Sequence, residues 1–262
     1  MPGIIETKHL DISYEDVMIV QDLHLTIPMK KITALVGANG CGKSTILKAI
    51  ARILKPQSGV VYVNGNAVHT QKSKEIAKQL AILPQNPIAP DGLTVAELVS
   101  FGRSPHQGGF ATLTKKDKEK IKWALDVTNM LPYARRSVDQ LSGGQKQRVW
   151  IAMALAQETE ILLLDEPTTY LDIAHQYEVL SLLRRLNEQE GRTIVMVVHD
   201  LNHASLYSDY MVTVKDGKIV HSGSPSEVMQ REHLYEVFGI HSNIIKDPRT
   251  GKPICLPYVL EV

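Results

Sequence analysis

The chain has little cysteine, no long apolar run and almost no net charge, and each shortage removes a class of protein. Its 262 residues include only Cys41 and Cys255, too few for a disulfide framework, so a reducing, cytoplasmic setting is expected. Apolar runs such as those at 161–164 and 194–198 have the length of buried strands. A membrane span needs roughly 18–20 such residues. The opening MPGIIETKHL lacks the charged-then-apolar layout of a secretory signal, so membrane association is expected only through a partner. A net charge of +1 gives no reason to expect nucleic acid. There is no internal repeat and no low-complexity segment. What remains is ordinary globular composition, 44% hydrophobic and 22% charged, in a chain long enough for one large domain or two lobes.

The stretch up to Val36 alternates short β-like runs, and VVYVNGNAV reads as a hairpin on Asn64-Gly65. Between them a glycine loop runs into a helix. From about Pro90 to Gln157 the pattern is helical, with capping-box spacing at Thr94 and Glu97, a second start at Thr114, and a third at Ser142 and Gln145. An all-helical lobe over 90–157, inserted in an α/β core, is therefore expected. The core resumes with ILLLD, a helix carrying Val179, Leu182, Leu183 and Leu186, and the strand TIVMVV, a βαβ unit of a buried sheet. A hairpin is expected on Asp216-Gly217, and a further helix start at Ser224, Pro225 and Glu227. From His241 on, prolines at 248, 253 and 257 leave no clear periodicity, so 241–262 reads as a tail behind a domain of residues 1–240.

GANGCGKS, residues 37–44, matches the phosphate-loop pattern between a strand and a helix. Gly37, Gly40 and Gly42 let backbone N–H groups close around phosphate oxygens, with Ala38, Asn39, Cys41 and Thr45 completing the loop and helix start. Lys43 is placed to reach the β and γ phosphates and Ser44 to hold Mg²⁺. ILLLDEP ends in Asp165, placed for the metal, and Glu166, placed to polarise an attacking water. His199 ends the next parallel strand, at the edge where doubly wound sheets bind ligands. As a phosphate sensor it competes with the plainer reading of one histidine among ten. Gln85, after AILP, is a candidate for the metal or the water. Tyr14, 23 residues before Gly37, is a candidate for stacking on adenine or an ordinary surface tyrosine. LSGGQ, at 141–145, is a capped helix start whose two glycines leave a second anion site exposed.

GANGCGKST, the glutamine of LPQ, LSGGQ, LLLDEP, the LD pair at 171–172 and VVHD stand in an order that resembles the ATP-binding subunits of ABC transporters, over residues 4–240. The resemblance implies a P-loop ATPase core with an N-terminal antiparallel β-subdomain and an inserted α-helical subdomain. It implies ATP and Mg²⁺, and a head-to-tail pair formed with a second copy or a paralogous ATPase subunit. In that pair Ser142, Gly143, Gly144 and Gln145 would face the other subunit's ATP, with Asp172 crossing nearby. FGRSPHQ, DEPTTYLDIAHQ and DPRTGKPICLPY resemble the ATPases of iron(III)-siderophore importers, with heme and cobalamin importers as near relatives. The implied location is the cytoplasmic face of the cell membrane, against a permease and, through it, a substrate-binding protein. The loop from Gln85 to about Gly92 would cradle a permease helix. Cys41 stands where many members of that family have serine; as a thiol near a helix N-terminus it is a candidate for maleimide inhibition with MgATP protection, the alternative being a small residue that the loop tolerates. A non-transport ABC ATPase is the alternative, and it is disfavoured by the single cassette and by the absence of a sustained heptad run.

Overall fold

A computed structural model describes residues 3–108 and 112–258. In chain order the elements are β1 (Gly3–Tyr14), β2 (Val17–Pro28), β3 (Ile32–Val36), α1 (Lys43–Ile50), β4 (Ser58–Val63) and β5 (Asn66–Ala67). There follow α2 (Ser73–Ile76), β6 (Leu80–Leu83), α3 (Val95–Ser100), α4 (Lys115–Val127), α5 (Gly143–Ala156), β7 (Ile161–Asp165) and α6 (Ile173–Glu190). The chain continues with β8 (Thr193–Val197), α7 (Leu201–Tyr207), β9 (Tyr210–Lys215), β10 (Lys218–Gly223), α8 (Pro225–Val228), α9 (Arg231–Phe238), β11 (His241–Lys246) and β12 (Pro253–Tyr258).

These fall into two compact units, the first built from residues up to Gln71 together with those from Arg184 on, the second from Lys72–Leu183. In the first unit β2, β1, β4 and β5 form an antiparallel sheet. A second sheet places β9 beside β3 and β3 beside β8, all parallel, with β10 antiparallel on β9. Every residue of β3 and β8 is buried, which is why both read as unbroken apolar runs. The hairpins expected on Asn64-Gly65 and Asp216-Gly217 are present.

In the second unit β6 pairs parallel with β7, and α3, α4 and α5 pack on one another between them in sequence. Capping boxes start all three helices, at Thr94, Thr114 and Ser142. The helix from Thr94 is shorter than its apolar pattern suggests and passes into a 3₁₀ turn over Phe101–His106. Arg103 accounts for the turn. Fully buried, it donates to Asp117 Oδ1 at 2.8 Å and to the carbonyl of Ala156 at 2.6 Å, tying the turn to α4 and α5.

The segment read as a tail without clear periodicity forms a two-stranded hairpin, β11 on β12, paired from His241↔Tyr258 to Lys246↔Pro253. Asp247 closes its turn by accepting the N–H groups of Arg249 and Thr250. Pro253 opens its strand and Pro257 lies on an edge, both positions that tolerate a missing N–H. Asn202 on α7 fastens the hairpin, donating to the carbonyl of Cys255 at 3.1 Å and accepting its N–H at 2.7 Å.

Candidate functional site

The phosphate loop links β3 to α1 in the first unit. Gly40 and Gly42 take φ of +77° and +104°, values that favour glycine. Gly37 lies so close to β9 that a Cβ there would stand 2.1 Å from the Val214 carbonyl oxygen. Ala38, Asn39 and Gly40 are exposed, Cys41, Gly42, Lys43 and Thr45 are buried, and Ser44 is half-buried. Lys43 folds its amine back over the loop, donating to the carbonyls of Gly37 and Ala38 at 2.8 Å each, with Cys41 Sγ 3.7 Å away. No side chain caps α1, and an uncapped helix N-terminus offers backbone N–H groups and a positive dipole end to an anion.

Strand pairing explains His199. Leu35 on β3 stands opposite Val197 on β8. Two residues on, Gly37 and His199 therefore leave the same edge of the sheet, and His199 is exposed there. Tyr14 is exposed at the tip of the β1–β2 hairpin. Val20 on the same hairpin would be 3.2 Å from a Cβ at Gly42, so β2 passes directly beside the phosphate loop.

The second unit builds its own cluster by the same geometry. Leu83 on β6 pairs with Leu164 on β7, which carries Gln85 and Glu166 to a common edge. Gln85 Nε2 donates to Glu166 Oε2 at 2.5 Å, and Thr169 Oγ1 donates to the same oxygen at 2.9 Å. Asp165 is buried at the strand end. Glu166 takes a left-handed φ of +54°, uncommon for a side chain of its size and characteristic of functional positions. Thr169 was not distinguished by sequence reasoning, because its role depends on the chain turning back after Pro167.

Ser142 Oγ accepts the N–H of Gln145 at 3.3 Å, and Gln145 Oε1 accepts that of Ser142 at 3.0 Å, the reciprocal capping box. Ser142 and Gly143 are exposed, Gln145 is half-buried, and Gly144 is buried against His175. The His175 ring lies 2.7 Å from the position a Cβ at Gly144 would take. Its Nδ1 is 2.7 Å from Asp172 Oδ1, which also accepts the His175 N–H at 2.9 Å. These bonds, the backbone one first, hold the Asp172 carboxyl below the usual carboxylate range. An Arg148–Glu178 ion pair adds a second tie between α5 and α6. Sequence reasoning missed His175; its three-residue spacing from Asp172 was the available signal.

A glycine loop with its lysine after one parallel strand, and an Asp-Glu pair after another, define a P-loop ATPase. The family follows from comparison. A profile described as ABC transporter matches residues 20–169, and the chain belongs to that family as an ATP-binding ATPase subunit. It is 58% identical over 256 residues to the iron(3+)-hydroxamate import ATP-binding protein FhuC of Bacillus subtilis strain 168, covering 98% of this chain and 95% of that protein. Among solved structures, a chain of an ABC transporter in an inward-facing conformation matches with a TM-score of 0.85 and 29% identity, covering 99% of this chain and 98% of that one. The dimeric structure of MJ0796, a bacterial ABC transporter cassette, matches with a TM-score of 0.74 and 29% identity, covering 84% and 98%.

Proposed function

We propose that the chain is the ATP-hydrolysing subunit of an importer for iron(III)-hydroxamate chelates. Two cassettes, either two copies or one with a paralogous subunit, act head to tail at the cytoplasmic face of the membrane beneath a permease fed by a binding protein. Lys43 and the loop N–H groups hold the β and γ phosphates, while Tyr14 stacks on adenine. Ser142, Gly143, Gly144 and Gln145 of the other cassette close over the γ-phosphate, with Asp172 beside them. Glu166 takes the proton of the attacking water and His199 senses the phosphate. Ser44, Gln85 and Asp165 offer oxygen donors only, the set that suits Mg²⁺. Bound there, the ion would neutralise charge developing on the phosphates.

The observation that carries this reading is the Gln85–Glu166 hydrogen bond. The loop that begins at Gln85 is the proposed permease cradle, and Ile88 within it is 90% exposed. Movement of that loop therefore acts directly on the proposed base. Exposed Phe101 adds apolar surface in the same unit. No helix among the described residues is long and apolar enough to cross a membrane, consistent with a permease supplying the spans. The test is reconstitution with permease and binding protein in vesicles. Ferric hydroxamate is expected to stimulate ATP hydrolysis. Stimulation by heme or cobalamin instead would contradict the substrate class.

A further inference from the structure

Away from the nucleotide residues, three side chains of the antiparallel sheet converge on one point. His9 Nδ1 lies 2.8 Å from Asp22 Oδ1, His24 Nε2 lies 3.2 Å from the same oxygen, and the two nitrogens are 3.2 Å apart. Both rings can donate an N–H to this one carboxylate oxygen, and the same three atoms also converge closely enough to share one cation as ligands.

The dimensions agree. Ligand atoms about 2.0–2.2 Å from a shared ion stand about 2.8–3.6 Å apart at the angles of octahedral or tetrahedral coordination. All three observed separations fall in that window. The two imidazole rings meet edge to face, with interplanar angle 83°, so their nitrogens approach from different directions.

The backbone is shaped around the cluster. His9 and Asp22 both take left-handed φ, +48° and +49°, where the β1–β2 register shifts between Thr7 and Leu10 and again between Leu10 and Ile12. Such bulges re-aim side chains. The bulge at His9 needs Gly59 on β4, because a Cβ there would stand 2.1 Å from the His9 carbonyl oxygen. Asp11 supports the arrangement from behind. Its Oδ1 accepts the Asp22 N–H at 2.7 Å, and its Oδ2 accepts the Ser58 hydroxyl at 2.6 Å. Metal ligands are commonly oriented by outer partners of this kind.

We infer that His9, Asp22 and His24 form a surface binding site for one divalent first-row metal ion, completed by water. Two imidazoles and one carboxylate favour zinc, cobalt, nickel or ferrous iron over magnesium or calcium. The ion bridges β1 and β2, the strands whose hairpin carries Tyr14 and Val20, and so stiffens the sheet beside the phosphate loop.

The test uses the full-length, tag-free chain without nucleotide. Calorimetric titration with Zn²⁺ is expected to show one ion per chain, and Co²⁺ to give a visible absorption band on binding. Asp22→Asn and His24→Ala are each expected to weaken binding at least about tenfold. His221→Ala, at the separate stacked pair with His233, is expected to retain it. Circular dichroism establishes that each variant is folded, and the two exposed positions give independent routes if one is not. Absence of stoichiometric binding in the wild type, or binding that survives both substitutions, overturns the inference.

Discussion

Glu166 reaches its position through a backbone conformation most residues avoid, and two neighbours donate to one oxygen of its carboxylate. Replacing it with glutamine keeps the shape and removes the basicity. Glu166→Gln is expected to slow hydrolysis by about 10²–10⁴-fold while ATP binding persists, measured by phosphate release and nucleotide titration. The two glycines of the Ser142 loop separate by a different criterion. A Cβ at Gly143 meets nothing within 4 Å, whereas one at Gly144 strikes the His175 ring. Gly144→Ala is therefore expected to impair hydrolysis far more than Gly143→Ala through packing alone. His175→Ala should partly rescue Gly144→Ala, a coupling that a double-mutant cycle measures. Cys41 is buried at 7% exposure, so maleimide should reach it only slowly in the folded chain.

Elements were legible where their signals are local. The phosphate-loop spacing and the capping boxes at Thr94, Thr114 and Ser142 lie within a few residues of one another, and all are found. Non-local devices were hidden. The bulges that gather His9, Asp22 and His24 break the alternation that marks a strand, and prolines masked the β11–β12 hairpin. The Arg103 turn was likewise invisible as such, since a charged residue rarely reads as core. Removing that charge leaves Asp117 buried without its partner, so Arg103→Ala is expected to cost about 3–5 kcal/mol in denaturant unfolding. Asp117 is held at about 2 against an ordinary 3.8, chiefly by the Thr114 hydroxyl and also by Arg103. A depressed carboxyl stabilises the fold above its unfolded value and loses that contribution as pH falls. Thermal stability of the wild type should therefore decline from about pH 4 towards pH 2 more steeply than that of Asp117→Asn. In the hairpin, Asn202→Ala removes both bonds to Cys255 and is expected to cost about 1–3 kcal/mol.

At the scale of the whole molecule, the chain divides into two compact units. The phosphate loop lies in one compact unit, and the Ser142 loop in the other. The central claim is that a working site takes its phosphate loop from one cassette and its Ser142 loop from another. Complementation tests it directly. Lys43→Ala and Ser142→Arg are each expected to be inactive alone. Mixed one to one, half of the dimers would hold one site built from the intact loop of each chain, and activity should recover towards about a quarter of the wild-type rate. If each site is instead built within a single chain, the mixture will stay as inactive as its components, and the account of the Ser142 loop is wrong.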